Sequence, residues 1–202
     1  LGNTHQDGII SSTGMDRYNV KVSADTKLTN NWSSGFTANY ITTSIDKAVT
    51  SGNGLLRTVY AAPPSYDLAG IPSHVDGNPY TQNSFRGSFD NAYWAMENNK
   101  FTEDTNRFFG NVYASYQTDF GTTNHKLNAK YMVGVDAYTT HYVDSYGYGS
   151  NTGGGRGQIE NYGWTNATYN SLLTINYDWH INEDWGLNAV VGNEIIQSNR
   201  KK

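Results

Sequence analysis

Apolar and polar side chains alternate along two neighbouring stretches at the centre of the chain. Val112, Ala114 and Tyr116 alternate with polar residues in the first stretch, and apolar residues recur at every second position from Leu127 to Val135 in the other. Because successive side chains of a strand point to opposite faces, each stretch has one apolar and one polar face. A short segment rich in Gly, Thr and Asn separates them. The pattern therefore predicts a long antiparallel hairpin with about ten residues in each arm.

The same alternation predicts one hairpin before the central one and one after it. Residues 18–25 and 32–42 form the first pair of strands, and residues 173–180 and 185–192 form the last pair. A short polar link joins the two strands of each pair. The chain is therefore predicted to be all-β, an antiparallel up-and-down meander of about six long strands.

The connections between these strands alternate between short turns and long loops. Two long loops interrupt the pattern, at about residues 43–105 and 139–170, and residues 1–17 also read as loop. Bacterial outer-membrane barrels place short turns at one end and long loops at the other, and their strands are about ten residues long. We therefore expect residues 1–202 to form one domain, a section of an outer-membrane β-barrel.

The first long loop is expected to carry local structure of its own. It holds all four prolines of the chain and several aromatic residues. Residues 57–60 are compatible with a short strand, and residues 91–99 with one or two helical turns. Loops of this length inside a compact domain are uncommon and usually functional.

The composition is typical of a barrel sheet with one apolar face and one solvent-exposed face. Charged residues make up 16% of the chain, against about 25% in ordinary soluble domains, and aromatic residues make up 14%. The mean hydropathy is −0.65, and no run approaches the roughly 18 apolar residues of a membrane helix. A soluble, secreted β-sandwich that binds carbohydrate shares these features and is the alternative interpretation.

The barrel interpretation assigns side chains to its two faces. Because charge on the lipid face is costly, five charged strand residues are expected to face the wet interior: Lys21, Asp25, Lys126, Lys130 and Asp136. Two rows are expected to face lipid: Tyr18, Val20, Val22 and Ala24, and Leu173, Ile175, Tyr177 and Trp179. Trp32, Trp179 and Trp185 lie beside short turns, where an interfacial aromatic girdle is expected. Ordinary core packing is the alternative for these three.

Charge and cysteine content exclude some classes of function. The net charge is −4 and the Lys and Arg residues are scattered, which argues against nucleic acid as a partner. The chain has no cysteine, so disulfides and thiolate metal sites are excluded.

The first residues lack the pattern of a signal peptide. Six strands are fewer than the eight of the smallest membrane barrels, so the chain is expected to be a piece of a longer barrel.

Several short motifs occur in a characteristic order. The first hairpin contains Gly8-Ile9, then Arg17-Tyr18-Asn19, then Asn31-Trp32. The long loop contains Pro64-Ser65-Tyr66-Asp67-Leu68 and Asp76-Gly77-Asn78-Pro79, and the next strand is entered through Asn106-Arg107-Phe108-Phe109-Gly110-Asn111. In this order the motifs resemble the barrel region of the SusC/RagA-like TonB-dependent receptors of the Bacteroidetes outer membrane.

The resemblance implies a function and partners. It implies a transporter in the cell outer membrane, surrounded by membrane lipid, that imports nutrients, either oligosaccharides or peptides. Import would be powered through TonB, and a SusD-like lipoprotein would cover the external mouth. The signal peptide, the plug domain and the barrel ends of this family have no counterpart in the chain. The chain is therefore expected to be an internal section of the barrel.

The residues indicate binding rather than catalysis. We find no metal-binding or catalytic constellation and expect neither a cofactor nor enzymatic activity. The pairs His74 with Asp76 and His141 with Asp144 are expected to be hydrogen-bonded loop contacts. Sugar rings stack on aromatic side chains while amides bind their hydroxyls, and the long loops supply both. The candidate ligand-binding residues are Tyr80, Asn91, Tyr93, Trp94, Tyr146, Tyr148, Asn161 and Trp164. The alternative is that these aromatic residues pack the loops together or against a partner protein.

Overall fold

The structure, a computed structural model, describes residues 1–49, 54–121 and 124–202. Most of them belong to one antiparallel sheet of seven strands, ordered in space as along the chain. The predicted all-β antiparallel meander is therefore confirmed. Two further strands, the fourth and fifth, form a separate small hairpin. In chain order the described strands are β1 (Gly2–Asp7), β2 (Gly14–Lys27), β3 (Trp32–Lys47), β4 (His74–Val75), β5 (Asn78–Gln82), β6 (Lys100–Thr118), β7 (His125–Tyr146), β8 (Gln158–His180) and β9 (Gly186–Lys201).

The two ends of the seven-stranded sheet carry different connections. At one end, here called the turn end, lie the short links 28–31, 119–124 and 181–185. At the other, the loop end, lie the connections 8–13, 48–99 and 147–157. The longest of these contains the helices α1 (Leu55–Ala61) and α2 (Ala92–Asn98) and the small hairpin. None of the helices in the described part of the chain is both long and apolar enough to cross a membrane.

Several elements differ from the sequence-based expectation. Residues Gly2–Asp7, expected to be loop, form the edge strand β1, which pairs with the start of β2. Residues 57–60, considered as a short strand, lie in helix α1, whereas the helical turns expected at 91–99 are present as α2. All six predicted sheet strands extend beyond their expected limits at the loop end. Both faces of these extensions are polar or mixed, so the alternation that reveals a strand is lost there.

The strand register collects the alternating apolar residues on one face. Ala24 pairs with Phe36, Phe36 with Val112 and Val112 with Val133, so all four side chains share a face. The same register adds the row around Ile175, which lies between Ala129 and Val191. Both rows expected to face lipid are therefore on one continuous apolar face.

Aromatic residues border this apolar face at both ends. The stretch between these borders is called the apolar band. Along β3, the band extends from Trp32 to Tyr40, about 26 Å at 3.3 Å per residue. The residues at the turn end are Trp32, Tyr116, Tyr177 and Trp179, and those at the loop end are Tyr18, Tyr40, Phe108 and Tyr169.

The apolar band is open to the outside. Val22 is 53% exposed, Val112 51% and Val191 68%. Trp32 and Trp185 are exposed as well, so they are not core residues. The buried side chains of the described residues lie instead at the loop end, mainly around Trp94, Phe89 and Phe101. Among the described residues, therefore, no second layer packs on the apolar face of the sheet.

The opposite face of the sheet is polar and internally bonded. The five charged residues expected to face a wet interior all lie on it by register. Arg107 binds Asp136 through its Nε and Nη2 atoms, at 2.8 and 2.5 Å. The ammonium group of Lys130 lies 4.2 Å from the ring centre of Tyr113. Arg107, Asp136 and Lys130 therefore have partners on neighbouring strands.

Candidate functional site

The two longest connections at the loop end pack into one unit. The described residues of 48–99 and 147–157 are here called the loop cap. Its centre is the carboxylate of Asp90, which is 2% exposed. Gln82 Nε2 donates to Oδ1 at 2.8 Å, the Asn151 amide donates to Oδ1 at 2.7 Å, and the Ser150 hydroxyl donates to Oδ2 at 2.6 Å. The Asp90 carboxylate thus links the small hairpin to the 147–157 connection.

Two predicted ligand-binding residues form the interior of the loop cap. Trp94 has no exposed surface, and its indole nitrogen donates to the Pro79 carbonyl at 2.8 Å. The side chain of Asn91 caps helix α2 by accepting from the amides of Tyr93 and Trp94. It also donates to the Asn83 carbonyl. Because both side chains are buried and bonded, their role is to hold the cap together, and we leave them out of the site.

Three other predicted residues lie on the outer surface of the loop cap. Tyr80 and Tyr148 meet edge to face, with ring centres 5.6 Å apart, and about three fifths of each is exposed. Tyr93 is 42% exposed. Tyr80 and Tyr148 are contributed by the two different connections, so their contact joins these connections while leaving ring surface open.

A row of aromatic residues lies on the polar face at the loop end. Tyr138, Tyr142 and Tyr146 belong to β7, and Tyr162 and Trp164 belong to β8; these five are here called the aromatic ladder. The rings of Tyr142 and Tyr162 are stacked, with centres 5.0 Å apart and planes at 8°. Trp164 contacts Tyr142 with ring centres 5.1 Å apart. Tyr142 therefore forms the middle of a continuous aromatic surface.

Cationic side chains hold the rings of the ladder in place. The ammonium group of Lys47 lies 4.4 Å from the centre of Tyr142, and the guanidinium of Arg200 lies 4.9 Å from that of Trp164. Lys47 also binds Glu103 at 3.1 Å. Cation–ring contacts of this kind are worth about 0.5–1 kcal/mol when exposed and more when desolvated. The ladder is thus positioned before any ligand arrives.

The hydroxyl groups of the stacked pair stay protonated at neutral pH. Both residues lie beyond the apolar band, towards the loop end. Burial raises the pKa of Tyr142, and the nearby Glu103 carboxylate raises it further. Burial likewise raises the pKa of Tyr162, together with the Asp144 carboxylate, which accepts the Tyr162 hydroxyl at 3.2 Å. Neutral hydroxyls can both donate and accept hydrogen bonds.

A cavity of about 620 Å³ adjoins the ladder. Its size falls within the range of small-molecule sites, about 300–1,000 Å³. Its lining combines aromatic surface with a few polar groups, which is the usual composition of such sites. The residues of the sheet that line it include Gln6, Lys47, Phe101, Asp144, Tyr146 and Tyr162.

The predicted site residues are thus divided among the loop cap, the aromatic ladder and the opposite face of β8. Tyr146 and Trp164 belong to the ladder, and Tyr146 also meets Phe101 edge to face at 5.0 Å. Asn161 lies on the opposite face of β8, where its Oδ1 is 2.5 Å from Nε2 of His141. The structure adds the cations beside the ladder and three rings outside the candidate set, Tyr138, Tyr142 and Tyr162. Their even spacing on β7 and β8, which places strand residues on one face, is a signal that the sequence already contained.

The two predicted histidine–aspartate pairs do not form. His141 and Asp144 lie in β7 at positions of opposite parity, so their side chains point to opposite faces. His74 instead lies 2.9 Å from the Ser73 hydroxyl and 3.3 Å from the Glu97 carboxylate. Across the described residues, no group of three or more His, Asp or Glu side chains is arranged to hold a metal ion.

Comparison with known proteins does not assign the chain to a protein family. No protein-family model matches the chain, and no curated protein matches it significantly. The likeness to SusC/RagA-like receptors therefore stays a prediction from short motifs. The inference of function depends on the geometry of the sheet, the loop cap and the aromatic ladder.

Proposed function

We propose that the chain is a section of the wall of an outer-membrane, TonB-dependent transporter that imports oligosaccharides or peptides. The observation that supports this most directly is the exposed apolar band on one face of the seven-stranded sheet. An apolar band of about 9–11 residues along each tilted strand, bordered by aromatic residues on both sides, is typical of outer-membrane barrels. In this interpretation the band faces lipid and the polar face lines the interior.

The energetics of the apolar band favour lipid over water. Each Å² of apolar surface left in water forgoes about 25 cal/mol of stabilisation. Soluble monomers rarely expose contiguous apolar patches of more than a few hundred Å². The band covers six strands, from Val22 on β2 to Val191 on β9. Lipid would cover this surface without requiring a second protein layer.

The asymmetry of the connections gives the section an orientation. Short links lie at the turn end, and the loop cap lies at the loop end. Outer-membrane barrels have short periplasmic turns and longer external loops. In this proposal the loop cap lies outside the cell and the aromatic ladder lies just inside the mouth of the barrel. The strands extend past the apolar band at the same end, where their outer face carries Asp16, Ser44 and Asp104.

The partners follow from this placement and from the motif resemblance. Seven strands are one fewer than the smallest membrane barrels contain, so the section would be completed by further strands of a longer polypeptide. Such a polypeptide would contact TonB on the periplasmic side and a SusD-like lipoprotein at its mouth. In this proposal the protein binds membrane lipid and an imported ligand. It is not an enzyme, needs no cofactor and binds no nucleic acid.

The alternative function is a soluble, secreted carbohydrate-binding β-sandwich. A sandwich packs two sheets face to face with a core about 10 Å thick between them. The described residues form one large sheet and one hairpin of two short strands. The aromatic ladder would suit a sugar in either case, so it does not separate the two functions. The uncovered apolar band favours the transporter.

Fractionation of the source cells tests the proposal. An antibody raised against this chain would be used to measure the size and location of the native product. We expect a band far above 22.4 kDa in the outer-membrane fraction. A band near 22.4 kDa in a soluble fraction would contradict the transporter and leave the carbohydrate-binding sandwich.

A further inference from the structure

The aromatic ladder has the form of a track rather than a single pocket. Tyr138, Tyr142 and Tyr146 follow one another at every fourth residue of β7, so they share a face and span about 26 Å. Tyr162 and Trp164 on β8 fill the space beside the middle of this row, in contact with Tyr142. A ligand that used the whole row would be an extended chain.

The track begins at the cavity beside the loop cap. Tyr146 and Tyr162 line both the cavity and the track, and Lys47 lies between Glu103 and the ring of Tyr142. From there the row descends along the polar face towards Tyr138, where the guanidinium of Arg107 lies 5.9 Å from the ring centre. The track therefore connects the loop end with the middle of the sheet.

The groups beside the rings fit the rim of a sugar. A pyranose presents an apolar C–H face, which matches an aromatic ring, and hydroxyl groups, which pair with carboxylates and amides. Glu103 and Asp144 lie next to Tyr142 and Tyr162 on the same face. Gln158 donates to Glu160 at 2.5 Å, opposite Tyr146 and Asp144 in the register. The track thus offers both kinds of contact along its length.

The charges along the track do not favour an anionic ligand. Beside the ladder on this face, three cations, Lys47, Arg107 and Arg200, accompany four carboxylates, which are Glu103, Asp136, Asp144 and Glu160. Lys47 is paired with Glu103, and Arg107 is paired with Asp136. Among these seven described groups, no surplus of positive charge is left to attract uronate or sulfate groups.

We propose that the aromatic ladder binds a neutral, unbranched oligosaccharide and guides it from the cavity along the polar face. This inference rests on the proposed function, because it assigns the ligand class of the transporter. The inference goes beyond the proposed function because it names the binding residues and excludes acidic glycans. Stacking would be the main contribution, since every pyranose offers an apolar face regardless of its linkage.

Binding measurements on the native membrane-embedded polypeptide test this inference. The protein would be purified in detergent and titrated calorimetrically with maltohexaose, cellohexaose, xylohexaose and mannohexaose, and with hexagalacturonate and pentalysine for comparison. We expect at least one neutral hexasaccharide to bind more tightly than either charged probe. Failure of all four neutral sugars to bind, or tighter binding of hexagalacturonate or pentalysine, would overturn the inference.

Matched variants connect the binding to the ladder. Tyr162→Ala removes a ring that is 43% exposed, so folding should persist, and Trp164→Ala removes its neighbour. We expect each to weaken neutral-sugar binding by about tenfold, as for a stacking residue at the centre of an interface. Tyr162→Phe keeps the ring and should retain most of the affinity. Trp185→Ala, at the turn end and 70% exposed, is the control and should bind normally.

The outcomes separate this inference from the proposed function. Unchanged binding by Tyr162→Ala and Trp164→Ala in a protein that is located in the outer membrane would refute the ladder alone. A soluble native product whose sugar binding is lost in the same variants would refute the transporter and keep the ladder. Outer-membrane insertion of each variant is the control for folding.

Discussion

The hydroxyl of Tyr113 donates to Asp25 Oδ1 at 2.6 Å across the strand that lies between them. Gly35 of β3 lies between them: it pairs with Asp25 of β2 on one side and with Tyr113 of β6 on the other. A Cβ atom on Gly35 would lie 2.1 Å from Asp25 Oδ1 and 2.7 Å from a ring carbon of Tyr113. The bond therefore exists because the middle position has no side chain. It binds three strands together on the polar face.

Gly35→Ala is expected to destabilise the sheet. The added methyl group must displace the Tyr113 ring or break its bond to Asp25. Overpacking of this kind typically costs about 1–3 kcal/mol. The free energy of unfolding, measured by urea titration in detergent or lipid, checks this. Gly87→Ala is the matched control, because a Cβ atom there meets nothing within 4 Å. An equal effect of both substitutions would contradict the role of Gly35.

Val22→Arg and Ile175→Arg are expected to block membrane insertion. Both residues lie within the apolar band, Val22 on β2 and Ile175 on β8. An arginine on the lipid face near the middle of the bilayer costs about 2–4 kcal/mol. Folding into lipid vesicles, followed by gel mobility or protease protection, measures the effect. Ser23→Arg places the same charge one residue away on the polar face and should insert normally. Normal insertion of both band variants would contradict the assignment of the lipid face.

Asp90→Asn is expected to loosen the loop cap without affecting the sheet. In the variant, an NH2 group replaces one of the two carboxylate oxygens. That group would face another hydrogen-bond donor, either the Ser150 hydroxyl or the Asn151 backbone amide. Loss of hydrogen bonds to a charged group costs about 1.5–3 kcal/mol each. Hydrogen exchange at the Asn151 amide should therefore accelerate, while exchange in the sheet strands stays slow. Asp76→Asn is the control, because Asp76 lies at an exposed turn position where asparagine is also tolerated. It should change neither the exchange of the Asn151 amide nor that of the sheet strands.

The pairing of β1 with β2 is expected to weaken as the pH rises. His5 lies beyond the apolar band, and its hydrogen bond to Asp16 raises its pKa above 6.5, with Asp7 contributing less. A raised pKa means that protonated His5 stabilises the fold. The stabilisation is complete below pH 6.5 and is lost as the pH rises through the pKa of the folded protein.

An NMR titration of the His5 ring measures this dependence. Asp16→Asn should lower the pKa of His5 towards its usual value, and Asp7→Asn should lower it less. Exchange of the β1 amides should be slower in acid than in alkaline buffer, after correction for intrinsic exchange. An identical His5 titration in the native protein and Asp16→Asn would refute this origin of the shift.

Some of the structure was predictable because it depends on local pattern alone. The alternation of residues such as Val20 and Lys21 reveals both a strand and its two faces, and the links at the turn end have ordinary turn composition. By contrast, β1 carries polar residues on both faces, so Gly2–Asp7 gives no periodic signal. The extension of β8 back to Gln158 is not predicted, because apolar and polar residues are mixed on both of its faces.

The meander, the assignment of apolar and polar faces and the difference between the two ends can be predicted from the sequence alone. These follow from a period of two residues and from the lengths of the connections. The aromatic ladder and the loop cap depend instead on contacts between residues that are distant in the sequence. Lys47, Glu103, Tyr142 and Tyr162 meet because the register aligns four strands, and a slip of one residue would turn each side chain to the other face. Asp90 likewise gains its donors from Gln82 and from residues 150–151, partners that no local pattern connects.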